Sequence, residues 1–599
     1  MVENPALKGI EIIAAGEGGA PSVAGAELIT EVIDPLANGV DVTVATTNIF
    51  LPNGLLDPAT VNPTTVKLFE DATDQEVPVS ANVVTGAENI VLTAQDLAFG
   101  TTYRLEIGSG VQDVSGESLL PFTSFTFTTD AGGEGPMLSG VSFEQVVAVD
   151  RNESYTSVAV GPDGKLYALT AEGLILRWDI DTDGTLINEQ VISSLQTAEG
   201  GNRLALGLVF DPSATADNLI AWITHSDAAF SNAAPWTGKL TQLSGADLQN
   251  VQDYLVGLPR AANSHATNSI VFDGSGQMYI SQGHTSAAGE PGSLGYGSQP
   301  EQALSAAILA VNTDAITSPP LDVQTADGGT YDPEAPDTPV TVYASGVRNA
   351  FDLVWHSNGA LYAPTNGAEA GQLIPALPGG DPITLTAEPL DYLNRIEAGG
   401  YYGHPHPGRN ELVLNGGNPT AGPDPAEVDD YPVGTLPDPN WRGYAYQFGG
   451  SESPNGIIEY QSSLFGGALQ GQLLIVRYNQ GFDVVVLTPG GTYQNIVANG
   501  DQLPASNGLI NGLDLTEDPG TGNIYVSIYG GGITLLRAPT AAELAELSID
   551  VELQSRTDHS GEYEIALYDP ADAENPVYTF TEIAGMDGMM SVSGIEPGT

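Results

Sequence analysis

The stretch SVAVGPDGKLYALT, residues 157–170, holds two apolar runs joined by a turn that contains proline, aspartate and two glycines. Two short apolar runs around such a turn predict a β-hairpin. The pattern recurs five more times before residue 530, at 208–210 with 220–222, 270–272 with 278–280, 353–355 with 361–363, 457–458 with 473–475, and 513–515 with 524–526. Six such hairpins predict a six-bladed β-propeller, in which side chains near the central axis bind ligands.

Length and charge limit the classes of function. The 599 residues are too many for one hydrophobic core, so several domains are expected. The chain has 75 acidic and 16 basic residues, a formal net charge of −59, and no cysteine. Such a surface repels phosphate backbones and anionic lipids, which disfavours nucleic-acid and peripheral-membrane partners. It suits saline surroundings and collects Ca²⁺ only loosely, and without cysteine neither disulfides nor thiolate metal sites are available.

The two ends of the chain indicate a piece of a longer protein. No apolar stretch reaches the ~18 residues of a transmembrane helix, and the first residues lack the features of a signal peptide. Near the other end, strand-like segments at 548–553, 563–567 and 577–580 lead to a Pro597–Gly598 turn with no strand after it. We therefore expect further domains beyond this sequence and an extracellular or cell-surface location. Residues 539–599 are expected to form an incomplete β module with a short helix at 541–547.

The region before the hairpins reads as a separate all-β module. Apolar and polar residues alternate at 41–46, 65–68, 89–92, 102–107 and 124–128, which is the strand spacing of a β-sandwich. Segments 55–61, 97–103, 110–116 and 125–129 resemble a bacterial Ig-like domain of the surface-layer and adhesin type. We expect an Ig-like spacer at 1–130, a glycine-rich linker at 131–139 and the propeller at 140–538.

Histidines collect around the long inter-blade loops. Five of the seven histidines lie in or beside these loops: His265, His284, His356, His404 and His406. His265 precedes the inner strand of the third hairpin, where a neutral imidazole facing the axis can take a proton from a substrate hydroxyl. The alternative is a loop histidine bonded to the backbone. His404 and His406 could bind a metal, but no third ligand is near in sequence, which favours a structural loop.

Arg348 is the second candidate, because it precedes the fourth hairpin as His265 precedes the third. A guanidinium facing the axis can bind a carboxylate or stabilise charge on a reduced quinone. The alternative is an ion pair with one of the many carboxylates of this chain.

The order of these motifs resembles the soluble quinoprotein glucose/sorbosone dehydrogenase family. The resemblance also rests on APTNG at 363–367, LNRIEAGGYYGHP at 393–405, SPNGI at 453–457 and GQLLI at 471–475. It implies a propeller that holds pyrroloquinoline quinone (PQQ) and Ca²⁺ on its axis. It also implies the oxidation of a sugar hydroxyl, with hydride transfer to the quinone.

The resemblance assigns roles to individual residues. It makes His265 the general base, and Arg348 with Asn349 ligands of the quinone, where Arg348 stabilises the reduced oxygens. The backbone carbonyls of Gly367 and Ala368 correspond to Ca²⁺ ligands. Two further pairs follow from it: Asn202 and His284 near the substrate, and Arg477 and Asn479 of the fifth blade at the cofactor.

The chain also differs from the family pattern, which leaves a second function open. Ser264 and His284 stand where the family has acidic residues, Arg477 lies two positions from the place of a lysine, and residues 507–512 lack the family's arginines. PQQ carries three carboxylates, so missing cations weaken its binding. These differences favour a non-catalytic cell-surface or carbohydrate-binding propeller, whereas His265 and Arg348–Asn349 favour a PQQ-dependent sugar dehydrogenase.

Overall fold

The structure is a computed structural model, and it describes residues 141–539 except for positions 264, 293–298, 421–425, 490–495 and 497–500. It also describes much of 57–112, Leu138, and strands at 26–31, 42–49, 123–128, 562–569 and 572–583. The expected linker, apart from Leu138, and the expected helix at 541–547 lie outside these residues. The chain divides into two compact units, Met1–Val141 with Gln145–Leu536, and Ser142–Glu144 with Arg537–Thr599.

The N-terminal module consists of two four-stranded sheets, as the alternation predicts. Its strands are β1 (Ala26–Glu31), β2 (Val42–Ile49), β3 (Val66–Glu70), β4 (Gln75–Val77), β5 (Val79–Val83), β6 (Asn89–Ala94), β7 (Thr102–Ile107) and β8 (Thr123–Thr128). They pair in the orders β1-β2-β6-β5 and β4-β3-β7-β8. Alternate residues of β3 and β7, among them Leu68 and Leu105, are buried opposite each other. This is the period-2 pattern of a sheet with one covered face.

The second region is built almost entirely from short strands. They are β9 (Glu144–Val149), β10 (Tyr155–Val160), β11 (Lys165–Thr170), β12 (Ile175–Ile180), β13 (Leu186–Ile192), β14 (Leu204–Phe210), β15 (Ile220–Ser226), β16 (Gly238–Ser244), β17 (Asn250–Leu258), β18 (Thr267–Phe272), β19 (Met278–Gln282), β20 (Ala307–Val311), β21 (Leu321–Asp322), β22 (Val340–Ser345), β23 (Val354–Trp355), β24 (Leu361–Thr365), β25 (Leu373–Ile374), β26 (Ile383–Thr384), β27 (Asp391–Ile396), β28 (Tyr446–Gly449), β29 (Pro454–Glu459), β30 (Leu473–Arg477), β31 (Val484–Leu487), β32 (Asp501–Gln502), β33 (Gly512–Asp518), β34 (Asn523–Ile528) and β35 (Gly532–Arg537). One short helix, α1 (Ser194–Glu199), follows β13. No helix of the described residues has the length and apolar character needed to cross a bilayer.

These strands form the six predicted blades. The sheets run β10-β11-β12-β13, β14-β15-β16-β17 with β21 at its edge, β18-β19-β20-β22, β23-β24-β27-β28, β29-β30-β31-β32, and β33-β34-β35-β9. Each predicted hairpin is the first antiparallel pair of its blade, so that prediction is confirmed. The first strands of successive blades contact one another in a closed ring, from β10 through β14, β18, β23, β29 and β33 back to β10. In the last blade, β9 from the start of the propeller takes the outer position and closes the ring.

Apolar side chains between neighbouring blades form the core. Trp222 and Leu240 of the second blade pack with Ile270 and Leu309 of the third. Two aspartates also join inner strands: Asp352 accepts the Ile457 N–H at 2.9 Å, and Asp514 accepts the Val158 N–H at 2.8 Å. This packing fixes the loops that precede β18 and β23, and therefore the candidate site.

Strands β36 (Glu562–Asp569) and β37 (Asp572–Ile583) form an antiparallel pair of their own. They contain the predicted segments 563–567 and 577–580.

Candidate active site

Two histidines from neighbouring loops lie in direct contact. His265 precedes β18 and His284 follows β19, and His265 Nδ1 lies 2.5 Å from His284 Nε2. Burial, followed by the charge of Arg348, holds the pKa of both rings well below the ordinary histidine value. Both imidazoles are therefore neutral at neutral pH, which is the state a general base requires.

Two features of the local chain bring these rings together. Gly283 allows the close approach, because a Cβ at that position would lie 2.6 Å from the Cβ of His265. Arg260, with 1% of its surface exposed, donates to the backbone oxygens of Ala261 at 2.6 Å and His265 at 3.1 Å. The loop that carries His265 is therefore held by a buried guanidinium.

Arg348 is a buried cation beside these histidines. It is 7% exposed, its backbone oxygen accepts the His284 N–H at 2.9 Å, and its Nε donates to the Ala287 oxygen at 2.8 Å. Among the described residues it forms no ion pair, and burial lowers its pKa to about 10 against the opposing effect of Glu369 and other carboxylates. The predicted alternative, an arginine paired with a carboxylate, is therefore absent from this part of the chain. Such a group favours an anionic or oxygen-rich ligand.

Asn349 takes part in a chain of amides that joins blades. Its Oδ1 accepts from Asn268 Nδ2 at 2.8 Å, and its Nδ2 donates to Asn366 Oδ1 at 2.9 Å. These bonds link the third and fourth blades. They leave the predicted role of Asn349 at a cofactor untested, and they give it a structural role as well.

Gly367 and Ala368 lie in a tightly packed turn after β24. The Gly367 N–H donates to Asp391 Oδ1 at 2.7 Å, and a Cβ at Gly367 would lie 2.4 Å from the Pro389 oxygen. The turn lines a cavity of about 20 Å³ with Arg348 and His404, room for about one water molecule. Backbone oxygens beside a carboxylate are the donors that Ca²⁺ prefers.

Three predicted ligands have partners of their own. Arg477 donates to both carboxylate oxygens of Asp483 at 2.8 Å and to Glu452 at 3.0 Å. The Asn479 N–H donates to the Glu452 oxygen at 3.1 Å, and the exposed Asn202 accepts from Gln196 at 3.2 Å. The structure thus brings together His265, His284, Arg348 and Asn349, whereas Arg477 and Asn479 share Glu452 as a partner and Asn202 bonds to Gln196.

The structure adds a pair that sequence reasoning missed. His404 Nε2 lies 2.8 Å from Glu301 Oε1, and both side chains are 1% exposed. The His404 ring centroid lies 5.5 Å from that of His284. His406 instead bonds to the Gln302 oxygen, so the two histidines have different hydrogen-bond partners.

A second cluster in the second blade has metal-ligating side chains, namely Glu199, His225 and Asp253. The Lys239 ammonium lies between the two carboxylates, 2.6 Å from Glu199 and 2.9 Å from Asp253. Arg203 donates to His225 Nδ1 at 3.0 Å. These cations occupy the places of a metal ion, so the cluster is a salt-bridge network.

The residues present fit one end of a PQQ molecule. Arg348, which has no carboxylate partner in the described part of the chain, offers its guanidinium to a carboxylate or a quinone oxygen, next to the neutral His265. Arg477, the expected second cation, is already neutralised by Asp483 and Glu452. The fit is therefore to an oxygen-rich anionic ligand held mainly at Arg348.

The chain thus forms a six-bladed propeller, and the neutral histidine pair beside a buried arginine is its candidate active site. The chain belongs to the glucose/sorbosone dehydrogenase family, whose model matches residues 152–481. Residues 28–129 match the bacterial Ig-like domain family, which confirms the second resemblance. No curated protein matches the chain.

Several solved structures match part of this chain at low sequence identity. A putative oxidoreductase (glucose dehydrogenase) from Thermus thermophilus is 18% identical, with a TM-score of 0.42, and the match covers 66% of this chain and 100% of that one. The PQQ-bound aldose sugar dehydrogenase of Streptomyces coelicolor is 16% identical, with a TM-score of 0.41 and coverages of 66% and 98%. The PQQ domain of a pyranose dehydrogenase from Coprinopsis cinerea is 12% identical, with a TM-score of 0.45 and coverages of 66% and 97%.

Proposed function

We propose that the propeller is an extracellular sugar dehydrogenase that binds PQQ and Ca²⁺ and oxidises a sugar hydroxyl. The observation that carries the proposal is the neutral His265–His284 pair beside Arg348, a buried guanidinium with no carboxylate partner among the described residues. Membership of the glucose/sorbosone dehydrogenase family supports it. The Ig-like module and the strongly acidic composition support the extracellular location.

The side chains then have distinct tasks. The bound quinone supplies a two-electron acceptor for the hydrogen on the sugar carbon. His265, whose Nδ1 faces His284, takes the hydroxyl proton at Nε2. Arg348 binds the oxygen-rich ligand and stabilises negative charge there, and the carbonyls of Gly367 and Ala368 would hold Ca²⁺.

Two observations favour a second candidate, a propeller that binds carbohydrate without catalysis. Arg477 is neutralised by two carboxylates, and the cavity beside Arg348 and Gly367 has only about 20 Å³. Both weaken the interactions that the site can make with PQQ and its three carboxylates. The same axial surface could still bind a sugar through the amides and histidines around it.

The purified chain, supplied with PQQ, Ca²⁺, a set of aldoses and a dye acceptor, separates the two candidates. The enzyme should reduce the dye, and His265→Ala should lower turnover by about two to four orders of magnitude, the scale of a lost general base. His356→Gln is a matched control, because His356 is also buried but bonds to the Gly471 backbone oxygen at 2.9 Å. If micromolar PQQ does not bind in the presence of Ca²⁺, the dehydrogenase proposal is wrong.

A further inference from the structure

The Glu301 carboxylate accepts many hydrogen bonds inside the site. It accepts the N–H groups of Thr285 at 3.1 Å and Ser286 at 2.9 Å, and the hydroxyl of Ser305. Burial alone would raise its pKa, but the hydrogen bonds from His404 and Ser305 hold that pKa far below the ordinary glutamate value. Glu301 is therefore ionised and can only accept, so the proton shared with His404 belongs to His404 Nε2.

That assignment defines the other nitrogen of His404. A neutral ring with its proton on Nε2 has a lone pair on Nδ1, and the Nδ1 of His404 is buried without a partner among the described residues. The Nδ1 of His284 is also buried and forms no hydrogen bond with a described residue, although the Ser286 backbone lies close to this ring. The two rings are tilted by 34° with centroids 5.5 Å apart, and their Nδ1 atoms form no direct hydrogen bond, so one bridging water would join them.

We propose that Glu301, His404 and His284 form a chain that positions the proton of His265. The inference rests on the proposed function only in making His265 the base. His404 accepts at Nδ1 from the bridging water, which accepts from His284 Nδ1–H, so His284 has its lone pair on Nε2. His284 Nε2 then accepts from His265 Nδ1–H across the 2.5 Å contact, and the lone pair of His265 is on Nε2. The buried carboxylate of Glu301 thus selects the tautomer of His265 through two intervening side chains, His404 and His284.

The same chain gives the substrate proton a destination. When His265 gains a proton at Nε2, its Nδ1 proton passes to His284 Nε2. The bridging water then takes the Nδ1 proton of His284 and gives a proton to His404 Nδ1. His404 becomes an imidazolium whose Nε2–H still faces the Glu301 carboxylate, so no proton is created or lost and Glu301 stays ionised.

The charges around the chain oppose this imidazolium everywhere except at Glu301. Burial lowers the pKa of His404, the Glu301 carboxylate opposes it, and Arg348 and Arg409 lower it further. Burial, then Arg348 and Arg260, lower the pKa of His265. His406, the neighbour on the same loop, lies near Glu301 as well. Glu301 is therefore the group that makes His404 the most favourable resting place for the proton.

The proton positions can be measured in the cofactor-free protein. With seven histidines in the chain, ¹⁵N-histidine NMR can assign the tautomer of each ring. We expect the proton on Nε2 of His404 and on Nδ1 of both His284 and His265. Any other tautomer at His404 or His284 would overturn the proposal, including a His284 proton on Nε2.

Substitution tests the link between the rings. His404→Gln keeps an amide able to donate to Glu301 but removes the Nδ1 acceptor, so His265 should become a mixture of its two tautomers. His406→Gln is the matched control, since His406 is equally buried in the same loop, and it should leave the His265 spectrum unchanged. An unchanged His265 spectrum in folded His404→Gln would refute the chain.

The loaded enzyme gives a separate readout. His404→Gln should lower kcat by about 10- to 100-fold and change the pH profile of kcat, while leaving PQQ affinity within about twofold. If no sugar is oxidised but the tautomers are as expected, the proposed function is wrong and the hydrogen-bonded series from Glu301 to His265 is supported. If sugar is oxidised but the tautomers differ, the chain fails and the function stands.

Discussion

Replacing Arg348 with methionine should stabilise the cofactor-free propeller and abolish its binding of PQQ. Burial lowers the pKa of Arg348 to about 10, and this fall corresponds to roughly 3 kcal/mol of destabilisation of the charged side chain. The lost hydrogen bond to the Ala287 oxygen offsets about 1 kcal/mol of the gain. Arg348→Met should therefore raise the free energy of unfolding by about 2 kcal/mol, because methionine fills similar space without charge.

Arg477 provides the matched comparison. Its guanidinium pairs with Glu452 and with Asp483, whose side chain is 4% exposed. Arg477→Met leaves that buried carboxylate without its cation and should destabilise the propeller by about 2–4 kcal/mol. The two methionine variants should therefore move stability in opposite directions.

Urea unfolding followed by tryptophan fluorescence measures both effects. All five tryptophans lie between residues 178 and 441, so the fluorescence reports on the propeller alone. PQQ binding with Ca²⁺ is titrated on the same samples. If Arg348→Met lowers the unfolding midpoint as much as Arg477→Met does, then Arg348 is a structural cation and the argument for a ligand at that position is refuted.

Two further predictions concern the buried carboxyl of Asp514 and the turn after β24. Burial, then the charge of Asp352, raises the pKa of Asp514 well above the ordinary value, so the folded carboxyl keeps a proton that the unfolded chain releases above about pH 4. The contribution of Asp514 to the free energy of unfolding should therefore fall as the pH rises from there. Asp514→Asn should gain more in urea midpoint at pH 7 than at pH 4, and an equal gain at both would contradict the raised pKa. Gly367→Ala places a Cβ 2.4 Å from the Pro389 oxygen and should lower the free energy of unfolding in urea by about 1–3 kcal/mol. The control Gly201→Ala has open space around its Cβ and should lower it by less than about 1 kcal/mol. Equal costs for the two alanines would show that the turn relaxes.

The propeller could be predicted because its signals are local. Each hairpin needs only two apolar runs and a turn within about 20 residues, and all six form the first pair of a blade. The closing strand β9 could not be inferred in this way, because its partner β35 lies at the far end of the propeller. Local patterns carry no information on such a pairing.

The candidate site was only partly visible for the same reason. His265 and Arg348 stood out because each precedes an inner strand, and the structure places both beside His284. Glu301 and His404 are 103 residues apart, so nothing near either one predicts their contact. Arg477 and Asp483 are only six residues apart in sequence, but their ion pair depends on the geometry of the turn between β30 and β31.

A single-turnover experiment tests the central claim most directly. The chain loaded with PQQ and Ca²⁺ is mixed anaerobically with an aldose, without any dye, and the quinone absorbance is followed. The account predicts that one aldose or more removes the quinone absorbance completely, and that His265→Ala does so at least about 100-fold more slowly while still binding PQQ. Bound PQQ whose absorbance persists with every aldose would contradict the dehydrogenase and leave the carbohydrate-binding propeller.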